Sequence, residues 1–376
     1  MELVVKVANS CNLNCTYCYM YNLGNDDYKT RPVVMTNTVF QKLVERIREF
    51  IDDNPEEKVK LVFHGGEPLL LGARRLGEMV TSLRAEFGRK ISLAVQTNGT
   101  ICNDEIIKVF SAGDVAFGVS LDGDKRTHDT TRVDKHGKGS WEKIEKNLEH
   151  FARHRDVNGL RFHSVIVVAN PSIDIYEMFS LCDRYNLSGL SILMPDTTID
   201  YRHDHYTFSD AELSDWLIDA MSHWMENYRK IRIPLFNAIF SKLFGGGSQS
   251  ESIGCSRVPA VIIESSGEIT PHDVLRISAP APEKKLFVTE NPLSDIWTND
   301  VYKIANSGEE NLSDECTRCP VKSICGGGFL AHRFSDDNGF DNPSVWCSVL
   351  QSLIGYATGR VISLGSSGAV AECSQS

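Results

Sequence analysis

Six short apolar runs alternate with amphipathic stretches between residues 3 and 195, and this alternation restricts the fold more than any other feature of the 376-residue chain. The runs are Leu3–Ala8, Lys60–His64, Ile91–Gln96, Val115–Ser120, Leu160–Val168 and Gly189–Met194. Continuous apolar runs of this length read as strands buried on both faces. Between them, Val39, Phe40, Leu43, Val44, Ile47, Phe50 and Ile51 fall on one face of a 3.6-residue period, as do Trp141, Ile144, Leu148 and Phe151. Six such units predict an α/β fold whose parallel sheet is curled as a barrel or part of one. Sites in such folds form where the strands end at their C-terminal side.

The rest of the chain reads differently. Ser209 and Glu212 form a capping box that opens a helix through Leu213, Trp216, Leu217 and Met221, and Gly245-Gly246-Gly247-Ser248 reads as a linker. A hairpin is expected with Val261–Glu264 as one arm, turning at Ser265-Ser266-Gly267. The predicted organisation is a partial barrel over 1–208, bridging helices and linker over 209–249, a cysteine-rich domain over 250–360, and a disordered tail over 361–376 that contains Cys373. A net charge of −11 gives no broad basic face, so nucleic acid is not an expected partner. No secretory signal and no apolar run of spanning length is present, so no membrane association is expected. The eleven cysteines cluster in short motifs instead of spreading as a disulfide framework, which suits a cytoplasmic protein.

Cys11, Cys15 and Cys18, spaced Cys-x3-Cys-x2-Cys, follow the first strand. Three cysteines in one short loop grip three irons of a [4Fe–4S] cube and leave the fourth iron open, an arrangement for binding and splitting a substrate. Structural zinc, the alternative, wants four closed ligands. Further motifs stand where strands two to four should end: His64-Gly65-Gly66-Glu67-Pro68, Gln96-Thr97-Asn98-Gly99 and Ser120-Leu121-Asp122-Gly123, followed by His128-Asp129-x-x-Arg132. Alone, each reads as a turn. In register with the cysteine loop they line one mouth.

Together these motifs resemble those of the radical S-adenosylmethionine (SAM) enzymes, over most of residues 3–350. The resemblance implies that Cys11, Cys15 and Cys18 carry a cluster whose open iron is chelated by SAM. It places Tyr17 near the adenine, and Gly65, Gly66, Glu67 and Pro68 at the methionine amino group. Asn98, Ser120, Asp122 and Arg132 then line the ribose and carboxylate. The implied chemistry is reductive cleavage of SAM to a 5′-deoxyadenosyl radical that takes a hydrogen atom from a substrate, with flavodoxin or ferredoxin as electron donor.

Cys316, Cys319, Cys325 and Cys347 have the spacing of a closed iron–sulfur or zinc site. Beside a radical SAM barrel this segment resembles a SPASM domain, which implies one auxiliary [4Fe–4S] cluster on these four residues. The ligands of a second, inner auxiliary cluster are incomplete: Cys255 is present, but Val261, His272 and Phe329 occupy the other positions. Cys255 is read instead as a small packed residue. Asp273 matches the base of SPASM enzymes that mature sulfatases, with a turn aspartate as the alternative. The stretch 325–347 is similar to that of maturases that form cyclophane crosslinks in ribosomal peptides, the FxsB-like and GrrM-like group. In that stretch His332, Arg333 and Asp341 are read as a structural network around the cluster, with a substrate path as the alternative.

The resulting expectation is a peptide maturase that joins an aromatic ring carbon to a β-carbon within a precursor peptide. A formylglycine-forming sulfatase maturase and a non-enzymatic metal-binding module are the alternatives. With the first strand beginning at Leu3, no leader-binding domain is expected before it. Cys102 and Cys182 are expected in helical stretches as core thiols, and His203, Asp204 and His205 in a solvated loop.

Overall fold

A computed structural model describes residues 1–24, 26–255, 260–278 and 285–366. Cys373 and the last ten residues of the expected tail lie outside them.

The six predicted strands are present as β1 (Glu2–Ala8), β2 (Val59–Gly65), β3 (Ile91–Thr97), β4 (Val115–Ser120), β5 (Arg161–Val168) and β6 (Gly189–Leu193). Three more follow: β7 (Ala260–Ile263), β8 (Glu268–Thr270) and β9 (Leu286–Phe287). The sheet order is β6-β5-β4-β3-β2-β1-β7-β8-β9. Strands β1 to β5 pair in parallel, and β7 adds to the free side of β1, also in parallel. Strands β7 and β8 form the expected hairpin, and β9 pairs antiparallel with β8. The fold is the predicted α/β class, an open and mostly parallel sheet. Its extension through β7 was not visible in the sequence.

Helices α1 (Asn37–Asp53), α2 (Gly72–Phe87), α3 (Asp104–Ala112), α4 (Lys125–Thr131), α5 (Trp141–Asn158) and α6 (Ile175–Arg184) connect the strands. Side-chain caps set their starts: Thr36 accepts from Val39 N in α1, and Asn103 from Ile106 N in α3. The buried faces match the sequence periods, with Phe40, Leu43, Val44, Ile47 and Phe50 in α1 and Trp141, Ile144, Leu148 and Phe151 in α5. Each such side chain contributes about 1.5–3 kcal/mol by leaving water.

The later helices are α7 (Arg202–His205), α8 (Asp210–Asn227), α9 (Pro234–Leu243), α10 (Asp300–Asn306), α11 (Asp314–Thr317), α12 (Lys322–Cys325) and α13 (Cys347–Ser366). The capping box of Ser209 and Glu212 starts α8 as read from sequence. His203, Asp204 and His205 form a helical turn instead of a loop, and Cys102 lies half-buried just before α3 instead of within a helix. The chain forms two compact units. The first comprises residues 1–168, 172–191 and 258–306, and the second 169–171, 192–257 and 307–376. No described helix is long and apolar enough to cross a membrane.

Candidate functional site

The first unit gathers its polar side chains beyond the C-terminal ends of β1 to β4. The cysteine loop leaves β1 and is folded by its own backbone, with Cys18 N donating to Cys15 O at 3.1 Å and Asn22 N to Cys18 O at 2.8 Å. Asn98, just past β3, donates to Asn12 Oδ1 at 2.9 Å and to Cys11 Sγ at 3.7 Å. Burial pushes the Cys11 thiol up to about 12 and Cys18 to about 11. Three thiols crowded in one half-buried loop are brought to the thiolate form by a cation that accompanies them, as metal ligation does.

The stretch after β2 is pressed against this loop. Gly66 N donates to Ala8 O at 2.8 Å, and a Cβ on Gly66 would lie 2.3 Å from Ser10 O, so only glycine fits. Glu67 is turned inward and fully buried. It accepts from Leu69 N at 3.0 Å, Thr97 Oγ1 at 2.7 Å and Asn98 N at 2.7 Å. Burial raises its carboxyl to about 7 against the pull of these donors. Its side chain thus serves the framework, and Pro68, buried with Leu69, opens the helical turn that follows.

A second knot forms beyond β4. One oxygen of Asp122 accepts from Tyr17 Oη at 2.5 Å, Thr131 Oγ1 at 3.0 Å and Arg132 Nε at 3.0 Å. Its other oxygen is buried with no hydrogen-bond partner. The Arg132 guanidinium lies over the Tyr17 ring, 5.6 Å from its centroid. His128 accepts from Asp122 N at 3.3 Å and meets Ser140 Oγ at 3.0 Å; burial, then Arg132, lowers it to about 3, so the ring is neutral. Ser120 accepts from Gln96 Nε2 at 2.8 Å. The expected site residues therefore fall into two groups, Glu67 and Asn98 with Cys11, and Asp122 and Arg132 with Tyr17. Thr131 joins the second without having been anticipated.

Sequence reading also missed the surroundings of Asp273. Lys6 is completely buried in β1, which runs between β2 and β7. Its Nζ lies 3.4 Å from Glu264 Oε1 and 3.4 Å from Asp273 Oδ2, ion-pair contacts without hydrogen-bond alignment. Arg276 donates to Glu264, and Arg31 reaches Glu268 Oε2 at 3.0 Å and Glu264 Oε2 at 3.7 Å. Tyr19, the residue after Cys18, donates its hydroxyl to Asp273. Burial, then the Asp273 charge, pushes the Tyr19 phenol well up, so it stays a donor. Burial by itself would raise the Asp273 carboxyl, but Lys6, His272, His64 and Arg276 hold it well below the carboxylate range. The missed signal was a lysine inside an apolar run, Leu3-Val4-Val5-Lys6-Val7-Ala8.

In the second unit, Cys316, Cys319, Cys325 and Cys347 line one cavity, with Gln351 donating to Cys347 Sγ at 3.4 Å and Cys319 Sγ at 3.8 Å. Burial pushes Cys325 up to about 12. Gly326 has φ +66°, and a Cβ there would meet Cys255 N at 2.0 Å. The Cys255 thiol itself donates to Gly326 O at 3.2 Å.

The sequence profile of the radical SAM superfamily matches residues 5–171. Residues 5–171 form a radical SAM domain. The full chain is similar to the cysteine-type anaerobic sulfatase-maturating enzyme of Clostridium novyi, 26% identical over 365 residues that cover 94% of each chain. It is also similar to the serine-type enzyme of Bacteroides thetaiotaomicron, 25% identical over 89% of this chain and 83% of the relative. Among solved structures, native anSMEcpe with bound AdoMet superposes with a TM-score of 0.79 at 21% identity, covering 96% of this chain and 98% of that one. SuiB of Streptococcus suis bound to S-adenosylmethionine does so at 0.63 and 17% identity, covering 92% and 76%.

A radical SAM domain works with a [4Fe–4S] cluster and SAM, and the residues present fit both: three half-buried cysteines in one loop, and an unpartnered Asp122 oxygen beside them. The four cysteines of the second unit fit an auxiliary cluster.

The cyclophane expectation is overturned. Similarity over nearly the whole chain extends to sulfatase-maturating enzymes of both the cysteine and serine types. The features of 325–347 that prompted it have a structural explanation. Arg333 clamps the carbonyls of Asn342 at 3.2 Å, Phe340 at 2.9 Å and Asn311, and Trp346 is buried with its indole N–H donating to Pro195 O at 2.9 Å. These contacts shape a cysteine-bearing loop and need no crosslinked product.

Proposed function

We propose that this chain oxidises a cysteine or serine side chain in a peptide segment of its substrate to Cα-formylglycine. The observation that carries the reading is the Asp273 carboxylate, which accepts from Tyr19, so a buried base is anchored one residue beyond the cluster loop. Similarity over 94% of the chain to a formylglycine-type maturase supports the substrate class.

The reaction removes a hydrogen pair from a Cβ–SH or Cβ–OH unit, one as a hydrogen atom and the other as a proton and an electron. When bound, the cluster on Cys11, Cys15 and Cys18 together with SAM supplies the organic radical that takes the atom, and a second cluster on Cys316, Cys319, Cys325 and Cys347 offers an acceptor for the electron. Asp273 takes the proton. Losing an electron makes the substrate S–H or O–H strongly acidic, so the base has to be ionised more than it has to be strong. Lys6 and Arg276 keep it ionised. A cysteine substrate then exchanges sulfur for the oxygen of water and releases hydrogen sulfide.

Tyr17, Asn98, Ser120, Asp122 and Arg132 are assigned to the SAM cradle, with the open Asp122 oxygen as an acceptor for a ribose hydroxyl. Since the Glu67 carboxylate is engaged by Leu69, Thr97 and Asn98, the contribution of Gly65, Gly66, Glu67 and Pro68 comes from their backbone. The inner auxiliary cluster is absent in this reading. Val261 belongs to the core of β7, Phe329 is buried, and His272 Nδ1 accepts from Val274 N. Flavodoxin or ferredoxin supplies the electrons.

The test is anaerobic incubation of reduced, iron-loaded enzyme with SAM and two peptides, one containing Cys-x-Pro-x-Arg and one Ser-x-Pro-x-Arg. An aldehyde that reacts with a hydrazide probe is expected on at least one peptide. Production of 5′-deoxyadenosine with both peptides unchanged would reject the substrate class.

A further inference from the structure

Among the described residues, one group of metal-ligating side chains stands apart from every motif above. Asp104, His150 and His154 each offer a ligand atom, and these atoms all lie within 4.8 Å of one another. The two histidines are one turn apart on α5, which puts both rings on the same face of the helix. Their centroids are 4.5 Å apart. Both Nε2 atoms point at a single carboxylate oxygen, Asp104 Oδ1 in the first turn of α3, at 3.1 Å from His150 and 3.7 Å from His154.

The next turn of α5 supplies a supporting group, since Asn158 Nδ2 lies 2.6 Å from His154 Nδ1. Oxygen and nitrogen of an amide are assigned from the hydrogen bonds around them. With the amide turned over, its oxygen accepts from Nδ1–H and leaves the Nε2 lone pair free toward Asp104. Metal-bound histidines are oriented by such an acceptor on the far ring nitrogen.

We propose that Asp104, His150 and His154 form a zinc-class cation site on the first unit. Two imidazole nitrogens and one carboxylate oxygen suit zinc, which takes three protein ligands with a fourth place open to water. Magnesium and calcium want shells of oxygen and are not expected there. The bound ion ties the first turn of α3 to α5. Because the site shares no residue with the SAM cradle or the cluster loops, it stands whether or not the formylglycine reading does.

The probe is zinc chloride added to iron-loaded holoenzyme under anaerobic conditions, followed by desalting, metal analysis and thermal unfolding. Wild type is compared with the double variant His150→Gln/His154→Gln and with Asp104→Asn. Wild type is expected to retain about one zinc ion per chain more than the double variant. Its Tm should rise with zinc, that of the double variant should not, and Asp104→Asn should need more zinc for the same rise. The substituted side chains are exposed or half-buried and their mutual contacts are weak, so without zinc both variants should unfold close to wild type. Equal zinc retention in wild type and double variant, or no retained zinc in wild type, overturns the assignment.

Discussion

Replacing Lys6 by methionine tests the buried charge network and its link to Asp273. Burial and the Arg276 charge pull the Lys6 ammonium down while Glu264 and Asp273 pull it up. With Lys6 cationic, the three buried positive groups (Lys6, Arg31 and Arg276) face three buried carboxylates (Glu264, Glu268 and Asp273), and exposed Lys285 and Asp27 extend the network at its edge. Methionine keeps most of the buried chain volume and leaves two cations against three carboxylates. Breaking a buried ion pair costs about 3–5 kcal/mol, and Arg276 still compensates Glu264, so the lower end, about 3 kcal/mol, is expected. For a chain of 376 residues that lowers Tm by about 4 °C. The pH dependence gives the sharper test. In wild type the Asp273 carboxyl is held below its unfolded value, so its contribution is present above about pH 4 and is lost as pH falls through the folded value. Without Lys6 the burial effect gains weight and the carboxyl rises, so the folded variant takes up a proton more readily than wild type as pH falls. The deficit of Lys6→Met should therefore shrink as pH falls from neutral toward the ordinary carboxylate range. Adding Asp273→Asn should restore charge balance, leaving the double variant about 1–3 kcal/mol more stable than additivity requires. Thermal unfolding of the iron-loaded enzyme at about pH 7.5 and about pH 5 is measured on wild type, both single variants and the double variant. A deficit independent of pH together with strict additivity would refute the coupling.

Asp273→Asn should cut peptide oxidation by at least about a hundredfold while 5′-deoxyadenosine still forms, read as the ratio of the two products; full turnover would remove the residue from the chemistry. Asp122→Asn strips the buried Arg132 of its counter-charge and should cost about 3 kcal/mol together with weaker SAM binding in equilibrium dialysis. Anaerobically reconstituted enzyme should carry about eight irons, and Cys347→Ser about four, by iron analysis. A reproducible count near twelve in the wild type would restore the inner auxiliary cluster.

The parallel α/β sheet was legible because each of its parts is local. A continuous apolar run buried on both faces, a 3.6-residue period and a capping box all sit within a short window, and β1 to β6, α1, α5 and α8 appear where those windows fall. Non-local pairing was not legible. Val261 and its neighbours read as the arm of a hairpin, and nothing in the sequence says that β7 also lies beside β1, so that Glu264 reaches the lysine of the first strand. Glu67 marks the same limit at the site. Its position beside two glycines was readable, whereas the backbone N–H groups of Leu69 and Asn98 that claim its carboxylate appear only once the chain is folded. The stretch 325–347 failed for the opposite reason. Its unusual residues were legible, but glycines, a buried arginine and a tryptophan around a cysteine loop hold a shape and do not name a product.

Stability alone gives no reason for charges to gather around Asp273. Taking ions out of water costs several kcal/mol each, and well-packed apolar side chains in their place are often neutral or stabilising. The cost has a use if one carboxylate must stay ionised in a dry pocket beside a radical centre. An isolated aspartate there would take up a proton, because burial favours its neutral form. Lys6, His272, His64 and Arg276 oppose this, Glu264 engages Lys6 and Arg276, and Arg31 pairs with Glu268. Tyr19 then fixes where the carboxylate points without giving up its own proton. In the proposed reaction the arrangement trades base strength for permanent readiness. That exchange suits an oxidation in which the departing electron acidifies the substrate, and it would serve poorly in a reaction that had to deprotonate an unactivated thiol or hydroxyl.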